Sequence, residues 1–102
     1  MLELRPGCEH CDAPLPPSST EAMICTFECT FCSRCVTTLL SDVCPNCGGG
    51  FSARPIRPAR EWKVGASVSH YPASTAVVHR PVDLQAHETF SAELRSILPK
   101  QR

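Results

Sequence analysis

Long apolar runs are missing from this 102-residue chain. No stretch approaches the ~18 consecutive apolar residues of a membrane-spanning helix, so no membrane association is expected. The segment Met1 to His10 lacks a basic start followed by an apolar core, which argues against a secretory signal. Net charge is missing too: ten Lys and Arg balance ten Asp and Glu, so there is no global pull toward nucleic acid or an anionic membrane. The second half also lacks cysteine, because all eight lie between Cys8 and Cys47. Without export, thiols stay reduced, and so dense a set reads as metal ligands in a cytoplasmic protein rather than as disulfides.

Zero net charge conceals an uneven distribution. Residues 1–52 hold two arginines against six acids, a balance of −4, while residues 53–102 hold eight basic groups against four acidic ones, a balance of +4. A divalent ion held by four thiolates adds a further −2 per site. An acidic, metal-loaded half would be repelled by a phosphate backbone, so nucleic acid is not the expected partner.

The first half is also short of core. Its apolar candidates number about a dozen: Leu2, Leu4, Leu15, Met23, Ile24, Phe27, Phe31, Val36, Leu39, Leu40, Val43 and Phe51. Such a set is thin for ordering some 50 residues, and structural zinc, at roughly 10–16 kcal/mol per site in small peptides, would make up much of the shortfall.

Residues 1–52 are expected to be the folded unit. Leu2 and Leu4 alternate with polar residues and suggest a short strand ahead of Cys8. Residues 12–20, with Pro14, Pro16 and Pro17, read as an extended loop. Met23 to Phe27 is β-prone. Ser33 to Leu40 is the best helix candidate here, since Val36, Leu39, Leu40 and Val43 recur at helical spacing. Residues 53–83 read as a basic, proline-containing linker, mostly disordered, in which Arg54, Arg57 and Arg60 are solvated. An amphipathic helix is expected over 84–98, with Asp83 as N-cap, Pro99 as stop and Phe90, Leu94, Ile97 and Leu98 on one face. Residues 99–102 read as a disordered end. The histidines, His10, His70, His79 and His87, are read as solvated, and so are Asp12, Glu28 and Asp42.

The cysteines fall into four pairs, 8/11, 25/29, 32/35 and 44/47. A two-residue spacer lets two thiolates grip one ion from a single turn at about 2.3 Å each, and eight thiolates make two closed tetrahedral sites. In Cys44-Pro-Asn-Cys47-Gly, Pro45 fixes φ and Gly48 permits a positive φ that could turn its N–H toward a sulfur. Spacing alone leaves the matching open, because two residues separate Cys32 from Cys29 and likewise from Cys35.

The order and spacing of these pairs, with the Cys-Pro-x-Cys ending and a helix after Cys35, resemble a RING finger with cysteine at the fourth ligand. That resemblance implies a cross-braced arrangement: Cys8, Cys11, Cys32 and Cys35 on one zinc ion, Cys25, Cys29, Cys44 and Cys47 on the other. The alternative joins 8/11 with 25/29. A closer similarity is to a family of short bacterial cysteine-rich proteins of unknown function. It rests on Met-Leu-Glu-Leu-Arg-Pro at 1–6, Cys-x2-Cys at 8–11, Cys-x-Phe-Glu-Cys-Thr-Phe-Cys at 25–32 and Cys-Pro-Asn-Cys-Gly-Gly at 44–49, and it implies a bacterial origin but no activity.

Ubiquitin-ligase chemistry, which the RING resemblance would suggest, is disfavoured. Asp12 stands after Cys11, where ligases present an apolar contact, and Gly48 follows the last ligand, where many place an arginine. A bacterial ferredoxin cluster is disfavoured too, since eight residues, not about three, separate Cys35 from Cys44. The expectation is a small α+β, zinc-stabilised, RING-like domain with two zinc ions and a largely disordered C-terminal tail. Its expected role is noncatalytic, a protein-interaction or regulatory module with an unknown protein partner. A zinc–thiolate redox or metal sensor is the rival reading.

Overall fold

A computed structural model describes all 102 residues. Three short strands form one antiparallel sheet in the order β2-β1-β3: β1 is Ala22–Ile24, β2 is Thr30–Cys32 and β3 is Ser52–Ala53. The register sets Met23 opposite both Phe31 and Ala53. Beyond β2 the chain makes a single α-turn, α1 (Ser33–Cys35), which runs directly into a π-helical turn over Val36–Leu40. The helix expected for Ser33 to Leu40 is thus wider than an α-helix. Two threonines contribute to this, because Thr37 Oγ1 donates back to the Ser33 carbonyl (2.9 Å) and Thr38 Oγ1 to that of Arg34 (2.6 Å), and such bonds loosen an α-ladder. Ser41 and Asp42, at φ 53° and 57°, then end the turn in left-handed geometry.

The core is small and rich in sulfur. Leu15, Ala22, Phe31, Val36 and Leu40 pack with six of the cysteines into one buried cluster. Phe51 stands edge-on to Phe31 with ring centroids 5.6 Å apart. Two of the expected core residues are exposed instead: Phe27 at 71% and Leu39 at 40%. No strand forms at Leu2 and Leu4. Leu4 instead takes φ 56° and is buried.

The expected disordered tail is not what the structure contains. Residues 54–83 cross the cysteine-rich head as an irregular strap held by discrete polar contacts. Arg54, expected to be solvated, is 4% exposed. Its guanidinium donates to the carbonyls of Arg5, Leu15 and Pro16 at 2.9–3.0 Å. Arg57 donates to the Leu2 carbonyl at 2.8 Å. Further along, Ser74 N–H reaches the Glu3 carbonyl (3.0 Å) and Arg80 N–H the Glu9 carbonyl (2.9 Å). His10, also expected to be solvated, accepts from Val82 N–H at its Nδ1 (2.9 Å). Composition and periodicity carry no trace of such contacts, because each depends on one side chain meeting one distant carbonyl or amide.

The strap leads into α2 (Leu84–Leu94), shorter at its C-terminal end than the 84–98 span, and then a 3-10 turn over Pro99–Gln101. Asp83 caps α2 by accepting from the N–H groups of Gln85 and Ala86, two of the donors a helix start leaves free. The buried stripe of α2 is His87 and Ser91, with Leu94 half-buried, while Phe90 is 46% exposed. The helix is therefore rotated away from its apolar seam. His87, expected to be solvated, is buried with Nε2 3.0 Å from the Leu40 carbonyl. Arg102 fastens the end of the chain to the head, donating to the carbonyls of Asp42 (2.9 Å) and Gly48 (3.2 Å).

Candidate metal centres

The eight cysteines are free thiols, and the fold gathers them into two clusters. In the first, the sulfurs of Cys8, Cys11, Cys32 and Cys35 all lie within 4.8 Å of one another. Cys8 and Cys11 come from a tight turn in which Asp12 N–H bonds the Cys8 carbonyl (2.9 Å) and Asp12 takes φ 62°. Cys32 ends β2, and Cys35 ends α1. Cys11 Sγ stands 3.8 Å from Cys32 Sγ, which is about the edge of a tetrahedron with metal–sulfur bonds near 2.3 Å.

The second cluster joins Cys25, Cys44 and Cys47, whose sulfurs also lie within 4.8 Å of one another. Cys29 lies beside it, near enough that Cys25 and Cys44 bear on its thiol, but outside the tight group. Two turns build this cluster. Between Cys25 and Cys29, Glu28 takes φ 64° and returns its N–H to the Cys25 carbonyl (3.0 Å). In the other, Gly48 has φ 78°, but its N–H bonds the Cys44 carbonyl (2.8 Å). It is Gly49 that donates to Cys47 Sγ (3.4 Å), so the glycine expected to face sulfur acts one position earlier, as the hinge.

Further N–H groups face this second cluster. Phe27 N–H points to Cys25 Sγ (3.3 Å) and Asn46 N–H to Cys44 Sγ (3.4 Å). The Asn46 side-chain amide reaches Cys29 Sγ (3.4 Å). Such donors stabilise negative sulfur. Without a cation the balance goes the other way: burial pushes the thiols of Cys29, Cys35 and Cys44 up, and neighbouring cysteines add to the rise. A divalent cation reverses this, because a coordinating thiol is deprotonated outright. The donor set fits a thiophilic metal, and two groups of cysteines could each hold an ion.

The two clusters interleave along the chain, since 8/11 joins 32/35 while 25 joins 44/47 across it. The sequential alternative, 8/11 with 25/29, does not describe this geometry. Spacing alone could not anticipate the Asn46 amide on Cys29. The only hint was Asn46's position inside the last Cys-Pro-Asn-Cys turn.

No helix is long and apolar enough to cross a membrane, and no solved structure matches the chain. Among curated proteins, the chain is 57% identical over 81 residues to "Uncharacterized protein R02474" of Rhizobium meliloti (strain 1021), a match covering 79% of this chain and 89% of that one. Residues 1–57, the segment that carries both cysteine clusters, match the family described as protein of unknown function (DUF1272). The chain belongs to that family.

Proposed function

We propose that the protein is a noncatalytic, cytoplasmic zinc-binding module with two structural ions, cross-braced as in a RING finger, that presents a surface to a protein partner. The observation that carries the reading is the interleaving of the cysteine clusters. Cys8, Cys11, Cys32 and Cys35 hold one zinc, and Cys25, Cys29, Cys44 and Cys47 hold the other after a small closing movement of Cys29. Four thiolates fill each tetrahedron and leave no position for substrate water, which is the closed arrangement of structural zinc. A surface for a partner is supported by large apolar side chains left in water: Phe27 at 71% exposure on the Cys25–Cys29 turn, and Trp62 and Val64 at 75% and 99% on the strap.

Elemental analysis and native mass spectrometry test the metal claim, with two zinc ions per chain expected. One ion, or iron with strong visible absorbance, would overturn it. The partner claim is tested by capture from the native bacterium with wild type and with Phe27→Ser and Trp62→Ser. A protein held by the wild type and lost by a folded variant supports it.

Cys11 and Cys47 are exposed, and this favours a second reading, a zinc–thiolate redox sensor. Peroxide would take two electrons from a thiolate pair, forming a disulfide, and be reduced to water as zinc departs. Zinc release at low peroxide dose would favour the sensor, and resistance the structural module.

A further inference from the structure

Between head and strap lies a cleft of about 320 Å³, walled by Glu9, Phe31, Arg80, Val82, His87 and Phe90 among others. That volume is at the lower end for small-molecule sites. We propose that this cleft binds a small organic acid that also carries an N–H or O–H donor.

The first observation is an unpaired acceptor. His87 is 4% exposed, and its Nε2 faces the Leu40 carbonyl at 3.0 Å. A carbonyl only accepts, so the ring proton sits on Nε2 and Nδ1 is left with a lone pair. That Nδ1 is the sole buried side-chain nitrogen or oxygen in the protein without a hydrogen-bond partner. Leaving such a group unsatisfied is unfavourable, and a ligand donor would recover the lost hydrogen bond. Phe90 lies against His87, with ring centroids 6.3 Å apart, and is 46% exposed on its outer side. Both rings line the cleft, and the proposed ligand reaches Nδ1 on a shift of the Phe90 ring.

The second observation is an uncommitted cation. Arg80 lines the cleft and enters no ion pair. The two acids that also line the cleft are each engaged through one oxygen: Glu9 Oε2 accepts from Arg5 Nη1 (2.7 Å) and Thr30 N–H (2.6 Å), and Asp83 Oδ1 caps α2. A guanidinium with its fork free is matched by a carboxylate. Phe31, Val82 and Phe90 offer apolar walls to a ring or short hydrocarbon between the two polar ends.

The test is an NMR titration of the full chain, its zinc content measured beforehand, so that a failure to bind is not mistaken for loss of metal. The probes are ortho-, meta- and para-hydroxybenzoate, with the matching methylbenzoates as analogues lacking the donor and the cresols as analogues lacking the acid. At least one hydroxybenzoate should shift the His87 Nδ1 and Phe90 ring signals, with the methylbenzoate and cresol weaker by about tenfold or more. Arg80→Gln, a surface change, should weaken binding to a similar extent. The proposal is overturned if no hydroxybenzoate moves these signals at about 10 mM, beyond the weak end of useful affinity. It is equally overturned if the methylbenzoates bind as well, which would mean an apolar cavity only, or if Arg80→Gln or the His87 Nδ1 signal shows no response.

Discussion

Cys11 and Cys32 are 21 residues apart in sequence, yet their sulfurs stand 3.8 Å apart. The pair joins the first turn of the chain to the end of β2, which makes it a direct probe of the cross-brace. Cys11→Ser should lower zinc content from two ions to one and leave the second cluster loaded. Elemental analysis combined with sulfur-sensitive X-ray absorption checks this, with Zn–S distances near 2.3 Å expected.

Metal and fold should behave as one equilibrium. Removing zinc with a strong chelator is expected to unfold the head cooperatively, because the buried cluster is built largely from the cysteines themselves. Circular dichroism and amide dispersion follow the loss. Native dispersion persisting in zinc-free protein would contradict it.

The pH dependence has a definite sign. Binding requires thiolates, whereas burial raises the thiols of Cys29, Cys35 and Cys44 when no cation is present. Loading therefore releases protons, so zinc affinity falls as pH falls, and the loaded fold loses stability toward acid. A metal-free fold would have the opposite slope in alkali, losing stability as pH rises through the ordinary thiol range, because its raised thiols resist ionisation. Melting temperature of the zinc-loaded protein against pH separates the two, since only metal-held thiolates give a loss toward acid.

Arg54 makes three carbonyl bonds from a site where burial lowers its pKa. Arg54→Met should keep much of the packing but orphan those carbonyls, at a cost of about 1–3 kcal/mol in denaturant unfolding. Arg54→Lys should not restore the full value, since a point-like ammonium cannot reproduce the planar fork.

Gly48 combines φ 78° with a close approach to α2: a Cβ there would lie 3.3 Å from Leu94 Cδ1 and 3.4 Å from Phe90 Cζ. Gly48→Ala is expected to cost about 1–2 kcal/mol from left-handed geometry alone and to loosen α2 from the second cluster. Hydrogen exchange over 84–94 should rise while exchange in β1 and β2 stays near wild type.

The cysteine pairs were legible because ligand chemistry forces them into short turns, and those turns leave a spacing, whereas their matching into two clusters came from the RING resemblance and not from spacing. The Asp83 cap was legible for a similar reason: the signal is local and the geometry follows at once. The strap was not. Arg54 in a linker and Arg54 in a plug are the same letter beside the same prolines, and only the carbonyls of Arg5, Leu15 and Pro16 distinguish them. His87 misled in another way. The apolar seam of α2 pointed to Phe90 and Leu98, whereas the contact to the Leu40 carbonyl turned the helix toward a polar stripe. The π-turn at Val36–Leu40 also lay beyond periodicity, since its last N–H, from Ser41, bonds the carbonyl of Val36.

Interleaving also changes what a broken backbone would do. The loop over 12–20 lies between Cys11 and Cys25, and past the pinned Leu15 and Pro16 its exposed end at Ser18 and Thr20 is the place for a protease to cut. A single cut there separates Cys8 and Cys11 from Cys32 and Cys35 along the chain, although their sulfurs share one cluster. With an ion in that cluster the two fragments stay joined through the metal and part only under chelation. In such a topology the ions take over a job normally left to peptide bonds, keeping the pieces of the molecule together.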